Sequence, residues 1–350
     1  DAPDAVVNNN FAAVMDVAGF NYRPFKYKIN YKKLPQRIVL GSETASTVSS
    51  RGVYKFPVER KAMAKYDDHQ ASSYDVEHCG WSNLPEDDFI QHEDLPYCIG
   101  EFVWTGFDYL GEPTPYYTDW PSHSSLFGII DLAGIPKDRF YLYRSHWNKT
   151  ARTLHILPHW TWPGREGEVT PIFVYTNYPT AELFINGKSY GKQSKNNSSL
   201  KNRYRLMWMD TKYEPGEVKV VAYDKNGKAV AEKVVRTAGK PHHIELVSNR
   251  NELTADGKDL AYVTVKVVDK DGNLCPTDNR QINFSVKGTG KYRAAANGDP
   301  TNLEQFHLPK MHAFNGMLTA ILQAGETAGE IVFTAKANGV KAGNIRIQTK

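Results

Sequence analysis

The pattern of apolar residues changes near Trp147, and this change constrains the fold more than any other feature of the sequence. Before it, apolar runs that end in polar residues stand far apart along the chain. After it, short alternating segments follow one another closely, and Asn-Gly and Asp-Gly pairs separate several of them. The first pattern is typical of buried strands in parallel α/β sheets, and the second is typical of β-sandwiches. We therefore predict a multidomain chain that is α/β in its first part and all-β in the rest.

Three apolar runs form the predicted α/β part. They cover residues 17–22, residues 37–44 and a longer stretch that starts at residue 97. Long connections between buried-type strands argue for successive units of a parallel sheet or barrel, but three strands cannot close an eight-stranded barrel. The open sheet edge would then need a partner. Residues 66–94 are polar and aromatic, and we interpret them as a loop that either shapes a pocket or is exposed decoration.

The all-β part divides into two predicted sandwiches. A stretch containing Gly and Pro at residues 235–241 separates them, so the predicted domains are residues 1–150, 151–240 and 241–350. Asn-Gly and Asp-Gly pairs predict tight hairpin turns within both sandwiches. Alternating apolar residues predict strands at 170–176, 181–185, 217–223, 244–247, 261–268, 282–286 and 331–335.

Charge and cysteine content argue against several functional classes. The 350 residues carry 43 basic and 39 acidic side chains, a net charge of +4, and no basic block stands out. A charge this balanced argues against nucleic acid or a membrane as the partner. The three cysteines are widely spaced and odd in number, which fits neither a disulfide framework nor a zinc motif. The spacing of the other side chains does not indicate a metal site.

One acidic residue, Glu43, ends the second apolar run. In a parallel barrel the catalytic groups lie where the strands end. Taken alone, such an acid is more often a solvated strand-end residue or a neighbour of a helix N-cap. Its role therefore depends on the residues that accompany it.

Three segments resemble the last three barrel strands of glycoside hydrolase family 2, in particular its β-galactosidases of the Bacteroides type. They are residues 19–22 (Gly-Phe-Asn-Tyr), residues 41–44 (Gly-Ser-Glu-Thr) and the long motif at residues 100–116. Residues 127–138 and 141–147 continue the likeness through the final barrel helix. The two later domains are similar to the sandwiches that follow such barrels, and the last also resembles bacterial immunoglobulin-like repeats. The resemblance implies the C-terminal part of a (β/α)8 TIM barrel followed by two immunoglobulin-like β-sandwiches.

The resemblance also implies roles for three residues. Glu43 matches the nucleophile of a retaining glycosidase, which works with a second carboxyl roughly 5 Å away that acts first as acid and then as base. Tyr22 matches the tyrosine that hydrogen-bonds the nucleophile, although a barrel-rim tyrosine with a satisfied hydroxyl is the alternative. Trp104 matches the tryptophan that packs against the apolar face of the sugar. Without the motif, Trp104 would be interpreted as a core residue.

Other polar residues near these motifs are weaker candidates. Asn21, His69, Asp108 and Glu112 either bind sugar hydroxyls or support the site structurally. Glu101 could be mistaken for the acid/base residue. Its odd separation from Trp104 places the two on opposite sides of a strand, so we favour a structural role for Glu101.

The acid/base residue of the family is missing from its expected place. In the family this glutamate follows an asparagine on a strand upstream of the nucleophile, but no Asn-Glu pair precedes Glu43. The pair at Asn251 and Glu252 lies in the second predicted sandwich and is not a credible substitute. We therefore expect the chain to be a fragment: either the surviving half of a cleaved or truncated enzyme, or a chain whose partner is the N-terminal remainder of the enzyme. Alone, it should hydrolyse glycosides on the order of 10²–10⁴-fold more slowly than the complete site.

Two alternatives remain open at this point. A noncatalytic carbohydrate-binding or cell-surface module would use Trp160, Trp162 and Trp208 as a sugar platform, unless they serve as core or loop-covering residues. Within the enzyme class the competitors are β-glucuronidase and β-mannosidase. Residues 123–129 lack the Asn-x-Lys signature with which family glucuronidases hold a substrate carboxylate, which favours a neutral sugar, and galactose by overall likeness.

The resemblance sets the remaining expectations. The sequence identifies no cofactor, although some members of the family bind Mg²⁺ or Na⁺ near the pocket. A carbohydrate is the expected substrate, and a homo-oligomer is compatible with the family. Enzymes of this type are usually periplasmic or secreted.

Overall fold

The computed structural model describes residues 3–350, which form mostly β-sheet with few helices. Two short 3-10 turns, Ala12–Val14 and Pro24–Lys26, flank the first strand. The helices are α1 (Pro3–Asn8), α2 (Tyr27–Tyr31), α3 (Pro85–Asp94), α4 (Asp138–Trp147) and α5 (Leu200–Tyr204).

A three-stranded parallel sheet organises the first part of the chain. It has the order β1-β2-β5, and its strands are β1 (Ala18–Asn21), β2 (Val39–Thr44) and β5 (Cys98–Val103). These are the three runs that the sequence predicted as strands. One face of the sheet is buried because Phe20 and Val39 pack against Tyr27 and Leu34 in a shared apolar cluster. All three strands run in the same direction, so their carboxyl ends meet at one edge.

The connection between β2 and β5 contains more regular structure than the sequence prediction allowed. It includes the two-residue strands β3 (Lys61–Ala62) and β4 (Glu77–His78) and the ten-residue helix α3. The prediction of a loop throughout residues 66–94 is therefore wrong for its last third. Pro85 in the first turn and the Asp87 carboxylate, which accepts a hydrogen bond from the Leu84 N–H at 3.0 Å, start this helix.

The first sandwich consists of two antiparallel sheets with a common core. Their orders are β10-β7-β6 and β12-β11-β8-β9. The strands are β6 (Leu154–Leu157), β7 (Ile172–Thr176), β8 (Thr180–Ile185), β9 (Lys188–Ser194), β10 (Leu206–Trp208), β11 (Glu217–Tyr223) and β12 (Ala229–Arg236). Val174 from one sheet and Leu183 and Val220 from the other are buried in one cluster. Period-two alternation along β8 and β11 produces this core, since every second side chain points inward.

The second sandwich also has two sheets around a common core, and all of its strand pairs are antiparallel except β14 with β21. Its sheets have the orders β13-β15-β19-β17 and β14-β21-β20-β16-β18. The strands are β13 (His243–Ser248), β14 (Glu252–Leu253), β15 (Leu260–Val268), β16 (Gln281–Gly288), β17 (Gly290–Ala296), β18 (Lys310–His312), β19 (Met317–Ala324), β20 (Gly329–Lys336) and β21 (Gly343–Thr349). Val265 and Leu322 from one sheet meet Ile282 and Phe333 from the other in the core.

The first part and the first sandwich share a buried apolar cluster. Phe89 of α3 and Tyr143 of α4 pack with Phe173 and Tyr175 of β7. The Tyr175 hydroxyl also donates a 2.8 Å hydrogen bond to the buried Asp75. Burial raises the pKa of Asp75 to about 7, against the opposing effect of nearby arginines. The predicted boundary at residues 150–151 thus lies between α4 and β6, at a densely packed junction.

Three further observations bear on the sequence predictions. Within residues 3–350, no helix combines the length and apolarity needed to cross a membrane. Cys79, Cys98 and Cys275 are buried and free. The predicted boundary at residues 240–241 lies between β12 and β13.

Candidate active site

The Tyr22–Glu43 pair lies at the carboxyl ends of β1 and β2. The register of the two parallel strands shifts after Phe20, so that Asn21 lies opposite Glu43. The Tyr22 N–H donates to the Glu43 carbonyl at 2.7 Å, and its backbone then enters the left-handed region with φ of 52°. The Tyr22 hydroxyl donates to Glu43 Oε2 at 2.8 Å. Backbone and side-chain contacts therefore both join the predicted nucleophile to the predicted orienting residue.

The environment keeps the Tyr22 hydroxyl protonated. Burial raises the pKa of Tyr22 well above its usual range, a hydrogen bond with Ser46 opposes this shift, and the Glu43 carboxylate adds to it. A protonated phenol can only donate to a carboxylate, and such charge-assisted hydrogen bonds are stronger than neutral ones. The arrangement therefore holds one oxygen of Glu43 in place.

Asn21 lies on the sheet face that α1 and α2 leave uncovered. Its Oδ1 accepts a 2.7 Å hydrogen bond from the Ser42 hydroxyl of the neighbouring strand. Gly19 is on the same face, and a Cβ there would lie 2.8 Å from Ser42 Oγ. The pair of Asn21 and Ser42 is thus a polar group immediately beside Glu43, on the side away from the apolar cluster.

Trp104 follows β5 directly and lies beside the end of β2. The backbone N–H of Trp104 donates to the Thr44 carbonyl at 2.8 Å, and Thr44 is the residue that follows Glu43. The half-buried ring packs on an apolar cluster that contains Phe127. It meets the Tyr109 ring edge to face, with centroids 6.1 Å apart and planes at 80°. Trp104 is therefore a partly exposed aromatic group at the same edge as Glu43 and Tyr22.

Glu101 faces away from this edge, into the helix layer. Its side chain is 5% exposed, and its Oε2 accepts a 2.9 Å hydrogen bond from the Thr44 hydroxyl. A Cβ at Gly41 would lie 3.0 Å from the Tyr27 hydroxyl and 3.3 Å from Glu101 Cβ, which locates all three on the covered face. Burial raises the pKa of Glu101 to about 7, and hydrogen bonds with Thr44 and Trp147 oppose the shift. This placement agrees with a structural role.

Asp108 is buried and fully engaged within the chain. Its Oδ2 lies 2.6 Å from the Lys137 ammonium, and its Oδ1 accepts from the Gly128 N–H at 2.7 Å. Burial raises the pKa of Asp108 to about 6, and the Lys137 charge counters it. The geometry therefore favours the structural alternative for Asp108 over direct contact with a sugar.

Glu112 and His69 belong to different surroundings. Glu112 is exposed, has φ of 44° and accepts a hydrogen bond from the Tyr109 hydroxyl, which connects it to the Trp104 cluster. His69 stacks on Tyr116 with ring centroids 5.2 Å apart, and its Nδ1 lies 3.1 Å from the Ser122 hydroxyl. The contacts of His69 thus lie within the loops after β2 and β5 and include neither Glu43 nor Tyr22.

Tyr109 borders the candidate site, and the sequence analysis did not select it. Its ring packs edge to face against Trp104, and its hydroxyl donates a hydrogen bond to the Glu112 carboxylate. It lies inside the motif at residues 100–116, five positions after Trp104, and this location was the available signal.

The tryptophans proposed as a sugar platform are mostly internal. Trp160 is 0% exposed and Trp208 is 5% exposed, and both belong to the core of the first sandwich. The Trp162 ring stacks on His159 with centroids 4.1 Å apart. The prediction of an exposed platform is therefore wrong for Trp160 and Trp208, which are core residues, whereas Trp162 is partly buried and packs against the edge of that core.

Metal-binding side chains are not clustered in the part of the chain that the structure describes. No group of three or more His, Cys, Asp and Glu residues in 3–350 is arranged to hold an ion.

Comparison with known proteins identifies the family. Residues 244–346 match the model of glycoside hydrolase family 2 C-terminal domain 5, and residues 167–231 match a domain of unknown function, DUF4982. Over 348 residues the chain is 40% identical to the beta-galactosidase BoGH2A of Bacteroides ovatus, a match that covers 97% of this chain and 40% of that protein. The chain belongs to glycoside hydrolase family 2.

Other similar proteins show how the chain relates to longer chains. It is 35% identical over 210 residues to a putative beta-glucuronidase of Formosa agariphila, across 59% of this chain and 20% of that protein. A beta-glycosidase structure from Bacteroides vulgatus superposes with a TM-score of 0.85 at 28% identity, covering 95% of this chain and 45% of that one. A family 2 structure from Bacteroides cellulosilyticus gives a TM-score of 0.79 at 27% identity, covering 98% and 43%. The chain thus spans less than half the length of these relatives.

Proposed function

We propose that this family 2 chain supplies the nucleophile and one wall of the sugar pocket of a retaining β-galactosidase. The 2.8 Å hydrogen bond from Tyr22 to Glu43 carries the proposal, because it fixes a carboxylate where two parallel strands end. Trp104, at the end of the third strand, supports it by adding a half-buried aromatic face. A carboxylate can attack the anomeric carbon of a pyranose, and an aromatic face can pack against the apolar face of the sugar ring.

The first part of the chain fits the last three strands of a (β/α)8 barrel in this proposal, and the two later domains fit immunoglobulin-like sandwiches. Among the described residues, β1 and β5 each pair with β2 alone. Two apolar residues of β5, the strand at the open edge, are largely exposed: Ile99 is 54% exposed and Phe102 is 66% exposed. Open edges and exposed apolar side chains call for a partner. The N-terminal remainder of the enzyme would supply the missing strands and, on one of them, the acid/base carboxyl.

The proposed reaction is a double displacement. Glu43 attacks the anomeric carbon and forms a glycosyl ester while the bond to the leaving oxygen breaks, and the acid/base carboxyl protonates that oxygen. The same carboxyl then takes a proton from water, whose oxygen attacks the anomeric carbon and releases Glu43 with the sugar configuration retained. Tyr22 orients the attacking carboxylate, and Trp104 packs against the apolar face of the ring. Asn21 would contact a sugar hydroxyl from the uncovered face of the sheet.

A neutral sugar fits the sequence better than a glucuronide. Residues 123–129 carry no Asn-x-Lys pair that could hold a substrate carboxylate, and the relative with 40% identity is a beta-galactosidase. The full-length protein should therefore hydrolyse nitrophenyl β-galactoside faster than the β-glucuronide or the β-mannoside. NMR of the first-formed sugar should show the β-anomer. Preference for the glucuronide would reject galactose, and an α-anomer would reject the double displacement. The 350-residue chain is the low-activity comparison.

Removing the Tyr22 hydroxyl should slow the full-length enzyme without unfolding it. In Tyr22→Phe the ring remains, but Glu43 loses a hydrogen bond to a charged acceptor, which is worth about 1.5–3 kcal/mol. We expect kcat/KM to fall roughly tenfold to a hundredfold, most of it in kcat. The matched control is Tyr262→Phe, at an exposed position of β15, which should leave both constants unchanged. Unaltered kinetics in Tyr22→Phe would remove Tyr22 from the site.

A further inference from the structure

One loop of the second sandwich, residues 297–301, packs against the loops that follow the parallel strands. Arg51, in the loop after β2, donates from Nη2 to the Asn297 carbonyl at 2.7 Å and from Nε to Asp131 at 2.6 Å. Gln70 Nε2 donates to Asp299 Oδ1 at 3.0 Å. Arg51 and Gln70 are both buried. The sandwich is therefore fixed to the same end of the sheet that carries Glu43.

The loop is shaped for this contact. Asp299 Oδ1 also accepts from the Thr301 N–H at 2.9 Å and the Thr301 hydroxyl at 2.8 Å, which closes the loop on itself. Gly298 has φ of +82°, and a Cβ there would lie only 2.1 Å from Asp131 Oδ2. The Asp131 carboxylate cannot retreat easily, because it is buried and also accepts the N–H of Ile135 at 2.8 Å. Only glycine allows this approach.

The contact continues from the sandwich to the proposed sugar pocket. The Pro300 carbonyl accepts the N–H groups of His123 and Ser124 at 3.1 and 3.4 Å. That segment pairs in turn with the Tyr109 segment: the Gly111 N–H donates to the His123 carbonyl at 2.7 Å, and the N–H of residue 125 donates to the Tyr109 carbonyl at 2.8 Å. Tyr109 borders Trp104 and binds Glu112 through its hydroxyl. Two hydrogen-bonded layers thus connect Pro300 to the pocket wall.

We propose that residues 297–301 of the second sandwich are a positioning element that holds the Tyr109–Glu112 segment against Trp104, so that this sandwich shapes the pocket from outside the barrel. That the Tyr109–Glu112 segment borders a sugar pocket rests on the proposed function. That residues 297–301 hold this segment in place does not. The loop acts through residues 123–125 and does not itself contact the proposed nucleophile, Glu43. It should therefore affect how tightly substrate binds more than the chemical step.

Gly298→Ala tests the connection in the full-length protein, and Gly272→Ala is a matched control. Gly272 lies in the same sandwich with φ of +81°, nearly the same backbone strain, but a Cβ there meets nothing within 4 Å. By hydrogen–deuterium exchange, Gly298→Ala should speed exchange at Gly111 and Ser125 severalfold, whereas Gly272→Ala should not. Equal exchange at these two amides in both variants would overturn the proposal. These amides do not contact the 297–301 loop, so the measurement reports transmission through the intervening segment.

Asp299 provides a second pair of variants if Gly298→Ala does not fold. Asp299→Ala removes the acceptor for Gln70 and Thr301 and should reproduce the faster exchange at Gly111 and Ser125. Asp299→Asn keeps an acceptor oxygen, so exchange at both amides should stay at the wild-type rate. In the full-length enzyme, Asp299→Ala should raise KM for the aryl galactoside severalfold with kcat little changed. Unchanged KM beside faster exchange would overturn the effect on the pocket. Absence of Glu43-dependent hydrolysis in the wild type would instead reject the proposed function, and the exchange result would still stand.

Discussion

Glu43→Gln in the full-length protein should abolish hydrolysis of aryl β-galactosides, with kcat falling on the order of 10⁴- to 10⁶-fold, as for removal of other catalytic nucleophiles. The amide has nearly the shape of the carboxylate but cannot form the glycosyl ester. It can still accept the hydrogen bond from Tyr22, so the ends of β1 and β2 should keep their arrangement. Circular dichroism and the melting temperature should therefore match the wild type. The measurement is steady-state kinetics with a nitrophenyl galactoside.

Two comparisons make this result specific. Glu252→Gln changes the exposed glutamate of the Asn-Glu pair in the second sandwich and should leave kcat unchanged. Glu43→Gly opens a space for a small anion, so added azide should restore cleavage of an activated substrate and give the α-glycosyl azide. If Glu43→Gln keeps most of the activity, Glu43 is not the nucleophile. If azide gives the β-azide, the attack does not come from the position of the deleted carboxylate.

Arg205→Met should destabilise the junction between the first sandwich and α3 by about 3–5 kcal/mol. The Arg205 guanidinium lies 2.5 Å from the Glu86 carboxylate, and the two side chains are 0% and 2% exposed. Removal of Arg205 leaves the Glu86 charge buried without its partner, and such a charge is costly because water cannot reach it. Urea unfolding monitored by tryptophan fluorescence should show the midpoint shift in the transition that exposes Trp160.

The double variant and an exposed pair test the physical reason. Arg205→Met combined with Glu86→Leu removes both charges and should recover most of the lost stability, since a well-packed apolar pair can replace a buried ion pair. Arg236→Met breaks the 2.6 Å pair with Glu217, whose side chains are 52% and 36% exposed, and should cost less than about 1 kcal/mol. A double variant as unstable as the single one would mean that lost packing, and not the buried charge, sets the cost.

Strands with alternating burial were predictable, whereas exposed edge strands and the helix in the long connection were not predicted. β11 has the predicted bounds, 217–223, because every second residue is apolar and faces the core. β9 (Lys188–Ser194) was missed because it lies at the edge of its sheet and is exposed along nearly its whole length. α3 was missed although Pro85 and the acids after it are a helix start signal, because the surrounding residues suggested a polar loop.

The candidate site was predictable where strand ends bring residues together. Glu43, Tyr22 and Trp104 meet at one edge because β1, β2 and β5 are parallel, which follows from the pattern of apolar runs. The surroundings of Asp108 and His69 depend on contacts between loops that are distant in sequence, such as the ion pair of Asp108 with Lys137. No local pattern encodes such contacts. The proximity of residues 297–301 to the site loops could not be predicted for the same reason.

The apolar cluster shared by α3, α4 and β7 has a consequence for how such chains are inherited. Recombination that exchanged only the first sandwich would have to match the shapes of Phe89 and Tyr143 on one side to those of Phe173 and Tyr175 on the other. It would also have to preserve the partner of Arg205. A crossover near residue 150 would rarely meet both conditions. The parallel strands and the first sandwich should therefore be inherited together, as one genetic block.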